Sequence, residues 1–295
     1  MDTVIQTKGL TKKYGSTTAL DQLDISVQKG EVIGYLGPNG AGKTTTIRLL
    51  LGLVKPTSGQ AFIFDLDTYA AAAEIHKDIA YVPGEASLWP NLTGAETLRF
   101  LANIHGTTDT AYQKELIEKF AFDPHKKVRN YSKGNRQKIV LIAALATRAK
   151  LLIVDEPTSG LDPVMAKVFR DEIVTAKQNG QTVFLSSHML EEVEELCDRV
   201  AVLREGQLVE IGTLEELRHL SALTVEATFK VSPPDVTNIK GVTNVSIHDN
   251  HLQCNVNGEI EPLMKAIVAA HPISLLSRKP SLEELFLALY DGETK

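Results

Sequence analysis

Gly37-Pro38-Asn39-Gly40-Ala41-Gly42-Lys43-Thr44 satisfies the spacing G-x-x-x-x-G-K-[ST] at every fixed position. These residue types suit the gripping of a polyphosphate. Backbone N–H groups converge on the anion without side-chain entropy, and Gly37, Gly40 and Gly42 let the chain curl where a Cβ would block it. A helix starting near Lys43 adds its positive end. Lys43 places a full charge on the β- and γ-phosphates. The Thr44 hydroxyl is a hard oxygen ligand for Mg²⁺, and Thr45 adds a second hydroxyl. By composition alone such a pattern arises on the order of once per hundred chains of this length. Here an apolar strand, Glu31 to Leu36, precedes it and an apolar helix to Leu51 follows, which is the setting the chemistry needs.

Further along, Leu151 to Val154 (LLIV) and Thr182 to Leu185 (TVFL) read as buried strands of a parallel sheet. Helical periodicity lies between, as at Ile139, Ile142, Ala143 and Ala146 after Ser132. Strands alternating with helices predict an α/β domain. The LLIV strand delivers Asp155 and Glu156 at its C-terminal end, where open α/β sheets bind ligands. Asp155 is expected to hold Mg²⁺ and Glu156 to orient the attacking water. Taken alone, two such acids are more often turn or cap carboxylates; downstream of a phosphate loop the catalytic reading is the stronger one. His188 follows the TVFLSS strand; it is a surface residue or a donor to a γ-phosphate oxygen. Tyr69 to Glu74 (YAAAAE) reads as helix. Glu191 to Glu195 (EEVEE) reads as a solvated helix face that suits the N-terminal dipole.

The chain has 295 residues, 43% of them hydrophobic and 23% charged. That suggests about two domains and argues against a disordered or collagenous chain. Lys and Arg number 31 against 37 Asp and Glu, a formal net charge of −6, so no nucleic-acid partner is expected. The two cysteines, Cys197 and Cys254, have no metal-site spacing and favour a reducing compartment. The N-terminus lacks the apolar core of a secretory signal. The longest apolar run, Ile139 to Ala146, falls far short of a membrane span. From about residue 216 the pattern changes. Strands are predicted at 223–230, 242–247, 252–256 and 273–277, and a helix at 261–270. A last helix opens with a capping box, Ser281 and Glu284, and carries an apolar stripe of Leu282, Leu285, Phe286 and Leu289.

Taken in order, these motifs resemble those of the ATP-binding subunits of ABC transporters, over about residues 1 to 215. Tyr131-Ser132-Lys133-Gly134-Asn135 stands where that family has its LSGGQ signature. Ser132 and Gly134 match it; Tyr131, Lys133 and Asn135 depart from it. By itself this is an ordinary capped helix start. The resemblance implies that Ser132, Gly134 and Asn135 complete the ATP site of a second copy or of a homologous subunit. Ser159-Gly160-Leu161-Asp162 looks like the D-loop, although Asp162 also reads as an N-cap. Tyr14 occupies the position of the aromatic residue that stacks on adenine.

One departure concerns a Gln that the family places in a loop after a strand. In Tyr81-Val82-Pro83-Gly84-Glu85, glycine falls in that register, and Glu85 is the candidate replacement near Mg²⁺. Ser87 to Leu92, with the only tryptophan, Trp89, lies where the family meets its membrane subunit; Trp89 reads as core or as an interface anchor. The C-terminal part looks like the tail of ABC-2 type exporter ATPases. The resemblance thus implies a P-loop NTPase fold of ABC ATPase type with a helical subdomain over residues 1–215, and a small α+β domain over 216–295. It also implies an ATPase using ATP and Mg²⁺, a dimer, and an ABC-2 type permease partner. Such a chain would sit on the cytoplasmic face of the membrane and drive export of a drug, antibiotic or other lipophilic compound. The alternatives are a nucleotide-gated regulatory subunit and an ABC-type ATPase uncoupled from transport.

Overall fold

The structure, a computed structural model, describes residues 2–219 and 223–278. The chain divides into two compact units, Met1–Ile211 and Gly212–Lys295. The first unit opens with β1 (Thr3–Tyr14), β2 (Thr17–Leu23), β3 (Ser26–Gln28), β4 (Val32–Leu36) and α1 (Lys43–Leu50). Next come β5 (Ser58–Ile63), β6 (Leu66–Asp67), α2 (Ala72–Ile75) and β7 (Ile79–Val82). A helical section follows: α3 (Gly94–His105), α4 (Thr110–Lys119) and α5 (Lys133–Leu145). Then β8 (Leu151–Asp155), α6 (Pro163–Gln178), β9 (Thr182–Ser187), α7 (Leu190–Leu196), β10 (Arg199–Arg204) and β11 (Gln207–Thr213) alternate.

The central sheet has the order β11-β10-β4-β9-β8-β7, and its strands from β10 to β7 run parallel. Every residue of β4, β8 and β9 is buried, as a sheet covered on both faces requires. Alternate side chains feed opposite cores. Leu152, Val154, Val183 and Leu185 pack with Ile139 and Ile142 of α5 and with Phe169 of α6. Ile153, Phe184, Ile33 and Tyr35 pack with Ile47 and Leu50 of α1 and with Ile5, Leu10 and Leu20 of a second sheet. That second sheet runs β2-β1-β5-β6, with β3 also paired to β1. The parallel order places the ends of β4, β8 and β9 side by side, so their loops share one edge.

Two local expectations change. Helix forms only over Ala72–Ile75 of the alanine tract, because the Asp67 carboxylate takes the amides of Tyr69 and Ala70 at 3.0 and 2.8 Å and holds a turn there. The EEVEE run is not a uniformly solvated face. Glu191 and Glu195 are exposed, but Glu192 is 2% exposed, because α7 turns that position inward onto the end of β9, where the Ser187 hydroxyl binds it.

The second unit contains α8 (Leu214–His219), β12 (Leu223–Phe229), β13 (Val242–His248), β14 (His251–Val256), α9 (Glu261–Ala269) and β15 (Pro272–Arg278). Its antiparallel sheet, β13-β14-β12-β15, alternates inward residues such as Val225, Ala227, Phe229, Leu252 and Val256, which pack on Leu263 and Ile267 of α9. Cys254 belongs to this core, and both cysteines are free thiols. The segment with Ser281, Leu282, Glu284, Leu285, Phe286 and Leu289 lies outside the described residues. Among the described residues no helix is long and apolar enough to cross a membrane.

Candidate functional site

The loop from Gly37 to Gly42 joins β4 to α1. Gly42 is the N-cap of α1 at φ 111°, and a Cβ there would stand 2.7 Å from the Ala19 carbonyl oxygen. Only glycine takes that shape without strain. No side chain caps the helix, so its first amides stay open to an anion. Lys43 is 7% exposed. Its ammonium donates to the carbonyls of Gly37 at 2.5 Å and Pro38 at 3.3 Å. It also stands 3.7 Å from Glu156 Oε1.

Asp155 closes β8, buried, and accepts from the Thr44 hydroxyl at 3.4 Å. Burial pushes its carboxyl above the usual carboxylate range. The charge of Glu156 adds to that shift, and Lys43 and Thr44 relieve it. A buried carboxylate with a hydroxyl beside it is a donor set that a hard divalent cation would satisfy. Among the described residues no group of three or more His, Cys, Asp or Glu is placed to hold a metal. Thr44 and Asp155 offer the one or two protein oxygens that Mg²⁺ takes, phosphates and water completing its shell.

Glu156 has φ 48°, a conformation that non-glycine residues rarely adopt, and its amide donates to Ser186 O at 2.8 Å. Its carboxylate faces Lys43 through one oxygen and hydrogen-bonds His188 Nδ1 through the other. Gly84 approaches both acids: a Cβ there would lie 3.2 Å from the Asp155 carbonyl oxygen and 3.4 Å from the Glu156 Cβ. A longer side chain in that register would therefore start at the acids, and glycine leaves the space clear. Burial and the charge of Asp155 push the nearby Tyr81 phenol up to about 12.

Pro38, Asn39, Gly40, Gly42, Lys43, Thr44, Thr45, Glu85, Asp155, Glu156 and His188 line one cavity of about 1080 Å³. Gly37 and Ala41 lie within the loop behind it; Gly206 N donates to Ala41 O at 2.9 Å. Ala19, Arg48, Tyr81, Lys133 and Ser159 also line the cavity, beyond the residues to which the motifs point. Arg48 carried a usable signal: it stands on α1 little more than one turn beyond Lys43.

Ser132, Gly134, Asn135, Asp162 and Tyr14 are not among the lining residues. Ser132 caps α5, its hydroxyl accepting from Asn135 N at 3.2 Å. A Cβ on Gly134 would run into the Gly160 carbonyl, so the start of α5 and the loop after β8 meet backbone to backbone. Beside them Lys133 Nζ donates to Ser159 Oγ at 3.0 Å. Asp162 caps α6, accepting from Met165 N at 3.0 Å. Tyr14 is 46% exposed, with the Lys12 ammonium 5.0 Å from its ring centroid. Trp89 is also half exposed. It stacks edge to face on Phe100 at 4.6 Å and borders, with Leu88 and Ile104, an apolar cavity of about 540 Å³.

Comparison with known proteins agrees with this geometry. The family model described as ABC transporter matches residues 20–159. The bacitracin transport ATP-binding protein BcrA of Bacillus licheniformis is 36% identical over 311 residues, covering 100% of this chain and 99% of its own. The linearmycin resistance ATP-binding protein LnrL of Bacillus subtilis is 32% identical over 304 residues, covering 97% and 98%. Among solved structures, an ATP-binding subunit of an ABC transporter superposes with a TM-score of 0.69 at 30% identity, covering 73% of this chain and 92% of that one. The dimeric cassette MJ0796 shares the fold, with a TM-score of 0.64 at 23% identity over 71% of this chain and 98% of that one. A relative alike from end to end, and a phosphate loop legible without it, converge on one conclusion: the chain belongs to the ATP-binding subunits of ABC transporters.

Proposed function

We propose that this ATPase subunit hydrolyses Mg²⁺-ATP at the Lys43–Glu156–His188 constellation and powers an ABC-2 type permease that exports an antibiotic or similar lipophilic compound. The observation carrying the site is the placement of the Lys43 ammonium, at the open N-terminus of α1, between loop carbonyls and Glu156. The names of the two relatives matched end to end, concerned with bacitracin transport and linearmycin resistance, support the cargo class and export.

Lys43 exchanges its carbonyl partners for β- and γ-phosphate oxygens, and the loop and helix amides take the remaining anionic charge. Thr44 and Asp155 would hold the metal, with Glu85, which lines the same cavity, as the candidate further oxygen donor. Mg²⁺, when bound, neutralises charge on the β- and γ-phosphates. Glu156, released from Lys43, accepts a hydrogen bond from the attacking water and orients it. His188 donates a ring N–H to a γ-phosphate oxygen. Tyr14 offers a face to adenine. Ser132, Gly134, Asn135 and Asp162, which do not line this chain's cavity, would close the site of a second copy. The apolar cavity bordered by Trp89 supports a reading in which the permease docks there, with the subunit on the cytoplasmic face of the membrane.

Phosphoryl transfer is mostly positioning and electrostatics, so removal of one charge is decisive. Purified Lys43→Ala should lose both nucleotide affinity and Mg²⁺-dependent turnover. Wild-type values of both would overturn the proposal.

A further inference from the structure

Glu192 is an acid with no role in the site described above, yet it is 2% exposed on a helix that shows its neighbours Glu191 and Glu195 to water. Its Oε2 accepts from the Ser187 hydroxyl at 2.7 Å in a buried hydrogen bond. Ser187 Oγ in turn accepts from the Met189 amide at 3.0 Å. His188 stands between those two residues, and its largely exposed ring is hydrogen-bonded to Glu156. One hydroxyl, held by one buried carboxyl, therefore ties the backbone on both sides of His188. The start of α7 has no side-chain cap of its own, so this tie does the work that a cap does elsewhere. Burying an acid is costly: Glu192 Oε1 is buried with no hydrogen-bond partner among the described residues, and burial pushes the carboxyl up from its usual range.

We infer that Glu192 is a positioning residue for hydrolysis, holding the His188 loop in register with Glu156 through Ser187. The inference rests on the reading of His188 as a γ-phosphate contact, and it goes beyond that reading by naming what aims the ring. The tie lies away from the phosphate loop, so its loss acts on the rate of the chemical step and spares ATP binding.

The test compares Glu192→Ala, Glu192→Gln, His188→Ala and the Glu192→Ala/His188→Ala double variant in the full chain. Turnover is measured against ATP concentration, and ATP affinity by nucleotide-dependent thermal shift. Small misplacements of reacting groups cost up to about 100-fold, so Glu192→Ala should lower kcat by about 10- to 100-fold. Its ATP affinity should stay within about three-fold of wild type. Glu192→Gln keeps the acceptor for Ser187 and should recover most of the turnover. The double variant should be no slower than His188→Ala, because both changes break one linkage. Wild-type kcat in Glu192→Ala, or multiplied losses in the double variant, overturns the inference. Should Glu192→Ala not fold, Ser187→Ala cuts the same tie at little cost in volume, and wild-type kcat there overturns it equally. If His188→Ala itself turns over normally, the reading of His188 fails and takes this inference with it. If His188→Ala is slow and Glu192→Ala is normal, only the inference about Glu192 fails.

Discussion

The Lys43 ammonium lies 3.7 Å from a carboxylate oxygen of Glu156. On the proposed reading, the cation that would grip phosphate is therefore paired with the anion that would aim water, and the charge of Glu156 would compete with the γ-phosphate for Lys43.

Glu156→Gln removes that competition and the base together. Turnover should fall by roughly 100-fold or more, the scale of a lost general base, while ATP affinity stays the same or rises. Steady-state hydrolysis and equilibrium binding check the two halves. Gel filtration with ATP should show a trapped dimer. Hydrolysis at the wild-type rate would remove Glu156 from its assigned role.

Gly134 meets the Gly160 carbonyl so closely that an added Cβ has no room. Both neighbours are backbone, so neither rotates aside. Gly134→Ala should displace the start of α5 from the loop after β8 and lower turnover by about 10- to 100-fold. Lys43 and its loop are untouched, so ATP affinity should hold. Equal losses in affinity and turnover would count against this assignment.

Tyr112 and Glu172 join α4 to α6. The buried Glu172 carboxylate accepts from the Tyr112 hydroxyl and, at 2.7 Å, from Lys119 Nζ. Tyr112→Phe keeps the ring under Arg148, whose guanidinium carbon lies 3.5 Å from its centroid, and deletes only the hydroxyl. Stability in urea should drop by about 1–3 kcal/mol, the cost of leaving a buried acceptor short of a partner. An unchanged midpoint would show that Lys119 alone satisfies the acid.

Glu192 makes stability depend on pH. Burial raises its folded-state pKa, the hydrogen bond from Ser187 holds it back, and nearby Glu156 and Arg170 push in opposite senses. A raised acid favours the folded state while protonated. Its contribution is full below the unfolded pKa of about 4.3 and is lost as pH rises through the folded value. Glu192→Gln cannot ionise. Its melting temperature should therefore gain on wild type as pH increases from about 4. Thermal melts across that range check the slope, and a constant difference would mean that Glu192 ionises as readily folded as unfolded.

Much of the fold is legible because its signals are local. The apolar runs at β4, β8 and β9 and the periodicity of α5 need only neighbouring residues to be read. β12 and β14 of the second unit follow alternation in the same way. The misreadings have tertiary causes. Asp67 captures two amides and delays α2. Glu192 is charged by composition but turned inward by the packing of α7 on α6 and β9. Lys133, in the sequence only a departure from a signature, bonds Ser159 across 26 residues and lines the cavity of the phosphate loop.

The sequence by itself determined the phosphate loop, the two acids after an apolar strand and the α/β alternation, because glycine's freedom and side-chain period act within a few bonds. Only the tertiary structure decided that Thr44 meets Asp155 across 111 residues at 3.4 Å, that Glu156 faces both Lys43 and His188, and that Gly134 lies against Gly160. Those meetings follow from sheet order, with β9 inserted between β4 and β8. That order is set by how apolar faces pack, and no single window of residues carries it.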